Sequence, residues 1–189
     1  MTKSQKLITE FEKMAVPHSW LLMSQELHLQ ANTIFRQKGR TFIVETDVDS
    51  NTHQATDTAN RTAFLLAGFA IENVIKSFLV YENPNWIANG QLNKALKDHS
   101  LTKLSQKSLL LPWRKKGIGL LEVFEEGLNS WARYPCPLYA EQIKVPRFFT
   151  ASLWSSYNQQ MDRYYIEIAK LLSKHWKGPH QFSGSYHSE

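Results

Sequence analysis

Cysteine is nearly absent from this 189-residue sequence, in which Cys136 is the one example. A lone cysteine excludes an internal disulfide framework and any zinc site that needs several thiolates, and it suits a reducing compartment. The segment that follows Met1 lacks the apolar core of a signal peptide. Together these absences predict a cytoplasmic protein.

Long uncharged apolar runs are also missing. The most apolar stretch, residues 63–80, approaches the roughly 20 residues of a membrane span. However, Glu72, Asn73 and Lys76 interrupt it and would have to lie within the hydrocarbon. A buried helix explains this stretch better, so we expect no membrane association.

Motifs for common cofactors and metals are absent as well. The sequence contains no GxGxxG, P-loop or GxSxG pattern, and its 7 histidines show no metal-ligand spacing. Asp47, Asp49 and Asn51 begin like a calcium loop, but Thr52 and Thr58 stand where that loop needs glycine and glutamate. We therefore expect neither a metal nor a cofactor.

Apolar residues and a mild positive charge are what the chain does have. Hydrophobic residues make up 42% of it, which is enough for a sizeable core and unlike a disordered chain. Lysine and arginine number 22 against 17 acidic residues, giving a net charge of +5. Dedicated nucleic-acid binders carry a larger excess, so the charge alone assigns no function.

Apolar residues recur at helical spacing along most of the chain. The pattern predicts an all-α, up-and-down bundle of about five to six helices with irregular connectors. We expect one domain over residues 1–176 and a flexible tail over residues 177–189. Residues 41–58 are predicted to form a loop, with a short extended piece at residues 42–44 as the alternative.

Residues 58–81 should form the central helix because they are apolar on nearly every side. Gly68 inside this helix costs roughly 1 kcal/mol relative to alanine, and a close helix crossing would explain that cost. Earlier in the chain, Pro17 is expected to end the first helix and Ser19 to cap the second. The apolar stripe of the second helix leaves His28 outside it.

Three segments in this order resemble bacterial HEPN-like helical proteins. They are AFLLAGFAIENVIKSFLV (residues 63–80), Asp98-His99-Ser100-Leu101, and Arg133-Tyr134-Pro135-Cys136-Pro137. The resemblance covers roughly residues 20 to 175. It implies a bundle of four or five helices that is often dimeric and belongs to toxin-antitoxin or antiviral systems. Catalytic members of that superfamily are metal-independent ribonucleases with an arginine followed, after four to six residues, by a histidine.

No arginine in this sequence has a histidine at that distance. The nearest pattern is Lys94 followed by His99, and lysine lacks the bidentate fork that matches phosphate geometry. The leading hypothesis is therefore a non-enzymatic HEPN-like protein that binds RNA, a nucleotide or a cognate partner. A divergent ribonuclease is the first alternative, with His99 as general base and Lys94 or Arg133 on the phosphate. A structural dimerisation module is the second.

Basic residues are concentrated between Gln91 and Lys116, where Asp98 is the one acidic residue. If the chain binds RNA or a nucleotide, this segment is the predicted phosphate-binding site, and Trp113 adds a ring on which a base could stack. The alternative is a solvated, lysine-rich surface. The seven basic residues are Lys94, Lys97, Lys103, Lys107, Arg114, Lys115 and Lys116.

Polar residues within the central helix are expected to form a buried network. Glu72 and Lys76 lie four residues apart and can pair, and Asn73 lies beside them. Because a buried charge must be partnered, a link from Glu72 to His99 or Arg133 is a further hypothesis. A purely structural network, with His99 acting as a helix cap, is the alternative.

Overall fold

The computed structural model describes residues 2–37, 42–47, 52–57, 59–112, 115–130, 132–133, 139–142, 150–179 and 183–186. These residues form six α-helices and confirm the predicted all-α helical bundle. The helices are α1 (Lys3–Met14), α2 (Pro17–Arg36), α3 (Ala59–Glu82), α4 (Leu101–Lys107), α5 (Lys115–Asn129) and α6 (Ala151–Leu172). The connectors, as far as the structure describes them, contain three 3-10 segments, Pro84–Gly90, Lys94–Lys97 and Ala140–Gln142.

Helix α3 lies at the centre of the bundle, as predicted. Apolar side chains along its length, among them Phe64, Ile71 and Phe78, are fully buried. The helix ends where the Asn83 side chain donates to the Leu79 carbonyl at 3.0 Å, immediately before a proline. Residues Arg61–Glu82 are long and apolar enough to cross a membrane, but 78% of their most apolar window is buried. Such burial is typical of the core helix of a soluble protein.

Helix α2 packs along α3 through two small hydroxyl side chains. Ser24 Oγ donates to the Ala70 carbonyl at 2.7 Å, and Ser77 Oγ donates to the Pro17 carbonyl at 2.8 Å. Pro17 is the first residue of α2, a position at which a backbone N–H would have no partner within the helix. Proline therefore loses no hydrogen bond there. The expectation that Pro17 ends α1 and Ser19 caps α2 is therefore wrong, because α1 ends at Met14.

Helix α5 crosses α3 at a pair of glycines. A Cβ atom on Gly68 would lie 2.9 Å from the Leu128 side chain, so the close crossing predicted from Gly68 is confirmed. Beside it, the rings of Phe64 and Phe124 stack with their centroids 4.3 Å apart. Helix α6 closes the bundle with one buried stripe. The stripe consists of Trp154, Tyr157, Gln160, Met161, Tyr164, Ile168 and Leu172.

Two short strand pairs differ from the sequence predictions. Strands β1 (Phe42–Asp47) and β2 (Thr52–Asp57) pair antiparallel, so the prediction of a loop over residues 41–58 is wrong for these two segments. The alternative of an extended piece at residues 42–44 is confirmed, and the strand continues to Asp47. Strand pairing uses backbone groups and does not require the apolar spacing on which the prediction was based. The second pair joins β3 (Trp176–Lys177) to β4 (Ser183–Gly184).

Part of the predicted C-terminal tail folds back onto the bundle. The Tyr186 N–H donates to the Leu172 carbonyl at 2.8 Å, and Gln25 Nε2 donates to the Tyr186 hydroxyl at 2.9 Å. The Tyr186 ring packs against the core. The expectation of a flexible tail therefore does not extend to residues 183–186.

Candidate functional site

A lysine-lined pocket opens between the 3-10 segment Lys94–Lys97 and helix α4. Lys94, Ala95, Lys97, Asp98 and Lys107 line it. The structure thus brings together three lysines that the sequence predicts to bind phosphate. We call this cavity the lysine pocket.

The lysine pocket has a volume of 610 Å³ and is shaped by short-range hydrogen bonds. The Asn93 side chain accepts from the Ala95 N–H at 2.9 Å and starts the 3-10 segment. Asp98 Oδ1 accepts from the Ser100 N–H at 3.0 Å, and the Ser100 hydroxyl in turn caps α4 by accepting from the Lys103 N–H. These local turns hold the lysine-bearing segments in place.

The electrostatics of the lysine pocket are dominated by positive charge. Lys107 Nζ lies 3.6 Å from Asp98 Oδ2. The Ser100 N–H, followed by the charges of Lys107 and Lys103, lowers the pKa of the Asp98 carboxyl. Asp98 is therefore ionised at neutral pH and offsets one of the nearby lysines, which leaves the pocket with a net positive charge.

A buried ion pair on α3 contacts the histidine that follows Asp98 in the sequence. Glu72 Oε1 accepts from Lys76 Nζ at 2.6 Å and lies 3.0 Å from His99 Nδ1. Glu72 is 6% exposed and Lys76 is 3% exposed, whereas the His99 side chain is 71% exposed. The predicted pairing of Glu72 with Lys76, and its link to His99, are thus present in the structure.

The surroundings of this pair add one cation–π contact and leave one oxygen unsatisfied. Lys76 Nζ lies 5.5 Å from the centroid of the Trp20 ring. Glu72 Oε2 is buried, and no described residue donates a hydrogen bond to it. Burying a carboxylate is costly without such partners, so a further donor at Oε2 would stabilise the site.

The contact between His99 and Glu72 has a chemical consequence. With the Nδ1 proton donated to the carboxylate, Nε2 is the nitrogen that can accept a proton from a bound ligand. A carboxylate that orients an imidazole in this way is a common device in general acid–base catalysis. His99 directly follows Asp98, which lines the lysine pocket.

The structure does not bring every predicted residue to this place. Asn73 donates to the Phe69 carbonyl of its own helix at 2.7 Å and lines a separate apolar groove beside Trp20. Arg133 is exposed, and no hydrogen bond or ion pair connects its side chain to Glu72 or His99 within the described residues.

Four predicted phosphate-binding residues have side chains outside the described part of the chain. Trp113 and Arg114 lie outside the described residues. Lys115 and Lys116 begin helix α5, but their side chains also lie outside the described part of the chain. The lysines that can be placed near one another are Lys94, Lys97, Lys103 and Lys107.

Sequence reasoning missed Glu125, which fixes the start of α4 beside His99. Its carboxylate accepts from the Ser100 hydroxyl at 2.9 Å, from the Thr102 N–H at 2.9 Å and from the Thr102 hydroxyl at 2.8 Å. The cap of α4 is Ser100, so the alternative in which His99 caps this helix is wrong. The Glu125 carboxylate comes from α5 and shares no local sequence pattern with the cap. Glu125 therefore supports the site from a second helix.

Comparisons with known proteins add no relative: no family model, curated protein or solved structure matches this chain. Within the described residues, no group of three or more histidine, cysteine, aspartate or glutamate side chains could hold a metal ion. The function is therefore inferred from the residues of the site.

Proposed function

We propose that this chain is a non-enzymatic, HEPN-like helical protein that binds RNA through its phosphates. The observation that carries the proposal is the lysine pocket, in which Lys94, Lys97 and Lys107 surround one cavity. Lysine ammonium groups attract phosphates as point charges, and binding gains free energy from released counterions. The setting that accompanies the HEPN resemblance is bacterial defence or a toxin-antitoxin pair in the cytoplasm.

The arrangement of charge favours a backbone-directed mode of binding. Lys103 adds a fourth ammonium near Asp98, so cationic groups continue from the pocket onto helix α4. A row of cations along a surface follows a chain of phosphates and reads no base sequence. We expect single-stranded RNA of mixed sequence to bind, with affinity set mainly by salt concentration.

A titration of fluorescent single-stranded RNA, followed by anisotropy at several salt concentrations, tests this function. The double variant Lys94→Glu/Lys97→Glu should bind at least about tenfold more weakly and should show a shallower salt dependence. The matched control Lys3→Glu/Lys13→Glu makes the same charge change on exposed positions of α1 and should bind like the wild type. Equal losses in both double variants would contradict the proposal.

A competition experiment separates RNA from a free nucleotide. If the pocket takes a nucleotide, ATP or UMP at micromolar concentration should displace the RNA. If it takes the RNA backbone, a mononucleotide should compete only weakly because it supplies too few phosphates for the row of lysines.

A divergent metal-independent ribonuclease is the second candidate, favoured by the 3.0 Å contact between His99 Nδ1 and buried Glu72. His99 Nε2 would take the proton of the RNA 2′-hydroxyl as that oxygen attacks the adjacent phosphorus and the bond from phosphorus to the 5′-oxygen breaks, leaving a 2′,3′-cyclic phosphate. The departing 5′-oxygen would take a proton from water, and Lys94 would stabilise the phosphate charge. Incubation of RNA with the protein in EDTA tests this reading. Cleavage that disappears in His99→Ala supports it, and intact RNA with the wild type contradicts it.

A homodimer or cognate-partner module is the third candidate. Large apolar side chains are exposed on the outer helices, including Leu7 and Met14 of α1 and Leu22 and Met23 of α2. Sedimentation at increasing protein concentration tests self-association, and Met14→Lys should weaken a dimer formed through this surface. A monomer at all concentrations would contradict the homodimer.

A further inference from the structure

His28 of α2 is joined to α6 by a chain of side-chain hydrogen bonds. Trp154 Nε1 donates to Asn32 Oδ1 at 3.0 Å. Asn32 Nδ2 lies 3.0 Å from His28 Nε2, and His28 Nδ1 lies 2.7 Å from the Tyr157 hydroxyl. This series of hydrogen bonds thus begins on α6 at Trp154, passes through Asn32 and His28 of α2 and returns to α6 at Tyr157.

The chemistry of these side chains determines which group donates and which accepts at each hydrogen bond. An indole N–H can only donate, so Asn32 must turn its carbonyl oxygen toward Trp154. The Asn32 amide nitrogen then faces His28, where it also donates to the His28 backbone carbonyl at 3.1 Å. Reversing the amide would place two donors together at Trp154 and two acceptors together at the His28 carbonyl. Asn32 therefore has one satisfactory orientation.

The orientation of Asn32 determines the protonation of the imidazole. His28 Nε2 must accept the hydrogen bond from the Asn32 amide, so it carries no proton. A neutral imidazole has its single proton on the other nitrogen, and Nδ1 therefore donates to the Tyr157 hydroxyl. The contacts select one neutral tautomer.

We infer that His28 is a pH-sensitive joint between α2 and α6, which holds the two helices together when the ring is neutral and loosens them when the ring is protonated. A second proton on Nε2 would face the Asn32 amide hydrogens, leaving two donors with no acceptor between them. Either Asn32 or His28 would then have to move.

The groups that surround His28 agree with this behaviour. On α6, Tyr157 and Tyr165 pack against the ring, and burial raises the pKa of each hydroxyl so that both stay neutral. Burial also lowers the pKa of His28, while the negative charge of Asp162 opposes that shift. Toward α3, the neutral Ser24 hydroxyl of α2 connects the Ala70 carbonyl of α3 to the Tyr165 hydroxyl of α6.

The sign of the pH dependence follows from the lowered pKa. The unfolded chain protonates His28 near the usual value of 6.5, whereas the folded chain does so only at lower pH. The contribution of His28 to stability is therefore complete above about pH 6.5 and is lost as the pH falls through the folded pKa.

Nitrogen NMR of the imidazole rings in the full-length wild type tests the tautomer directly. At neutral pH, His28 should show a protonated Nδ1 and a bare Nε2. A ring protonated on Nε2, or on both nitrogens, would overturn the inference. On acidification, the backbone amide signals around His28 and Tyr157 should shift together with the ring signals, and unchanged amide signals would also overturn it.

Urea unfolding at about pH 7.5 and about pH 5 tests the energetic consequence. The wild-type midpoint should fall on acidification. In His28→Gln, which keeps an acceptor for Asn32 and does not titrate, the midpoint should fall clearly less. His175→Gln removes an exposed histidine, and the midpoint of this variant should fall as much as that of the wild type. A wild-type pH dependence in His28→Gln would contradict the inference, and the NMR titration decides if that variant does not fold.

Discussion

Gly127 of α5 lies directly against the Phe64 ring of α3, so that a Cβ atom at Gly127 would overlap Phe64 Cε1. Phe64 has no free space to move into, because it is fully buried and stacks on Phe124. The absence of a side chain at Gly127 is thus what lets the two helices approach.

Gly127→Ala should therefore destabilise the protein. Alanine gains about 1 kcal/mol of helix propensity over glycine, but overpacking a rigid core costs about 1–3 kcal/mol, and the contact here is shorter than any normal carbon contact. We expect a net loss of about 1–2 kcal/mol in urea unfolding.

Gly119→Ala is the matched control for that measurement. Gly119 lies in the same helix, but a Cβ atom there would meet nothing within 4 Å. The propensity gain should appear alone, giving an unchanged or slightly higher stability. If both alanine variants behaved alike, the close crossing of α3 and α5 would be contradicted.

Removing one charge of the buried ion pair should be much more harmful than removing a surface charge. Lys76→Met leaves Glu72 buried without its ammonium partner, and we expect a loss of about 3–5 kcal/mol. Lys170→Met breaks the exposed pair with Glu167 and should cost less than about 1 kcal/mol. The double variant Glu72→Met/Lys76→Met should recover much of the stability. Urea unfolding measures all three, and similar losses for Lys76→Met and Lys170→Met would contradict the buried pair.

The sequence was most informative where structure depends on neighbours in the chain. The all-round apolarity of residues 63–80 predicts a central helix, and the spacing of Glu72 and Lys76 predicts their ion pair. Lys94, Lys97 and Lys107 could be grouped because they lie within one short segment. For the central helix and the ion pair, helical geometry alone accounts for the prediction, whereas Lys107 lies on a different helix from Lys94 and Lys97.

Contacts between distant segments could not be predicted in this way. Glu125 reaches Ser100 and Thr102 only because α5 packs against α4. His28 lies outside the apolar stripe of α2 and appears solvent-facing until α6 places Tyr157 against it. The register of β1 and β2 likewise depends on backbone pairing between segments with no apolar alternation. Such contacts require the positions of whole helices or strands.

The buried tyrosines of α6 should resist ionisation in alkaline solution. Burial raises the pKa of Tyr164 to about 12, and it raises those of Tyr157 and Tyr165 as well. Because the folded state disfavours the charged form, this contribution to stability is present below the usual pKa of 10 and is lost as the pH rises above it. Ultraviolet absorbance should show the α6 tyrosines ionising only as the protein unfolds. Ionisation of these tyrosines near pH 10 in folded protein would contradict their burial.

Neutralising Asp98 should strengthen RNA binding at the lysine pocket. The lowered pKa of Asp98 means that its carboxylate is charged at neutral pH, where it repels phosphate and competes for Lys107. Asp98→Asn keeps an oxygen for the Ser100 N–H while removing the charge, so RNA affinity should rise by roughly two- to fivefold at low salt. Glu167→Gln makes the same charge change on α6 and should leave the affinity unchanged, which anisotropy titrations can establish. An Asp98→Asn variant that binds RNA no better than Glu167→Gln would place the phosphates elsewhere on the protein.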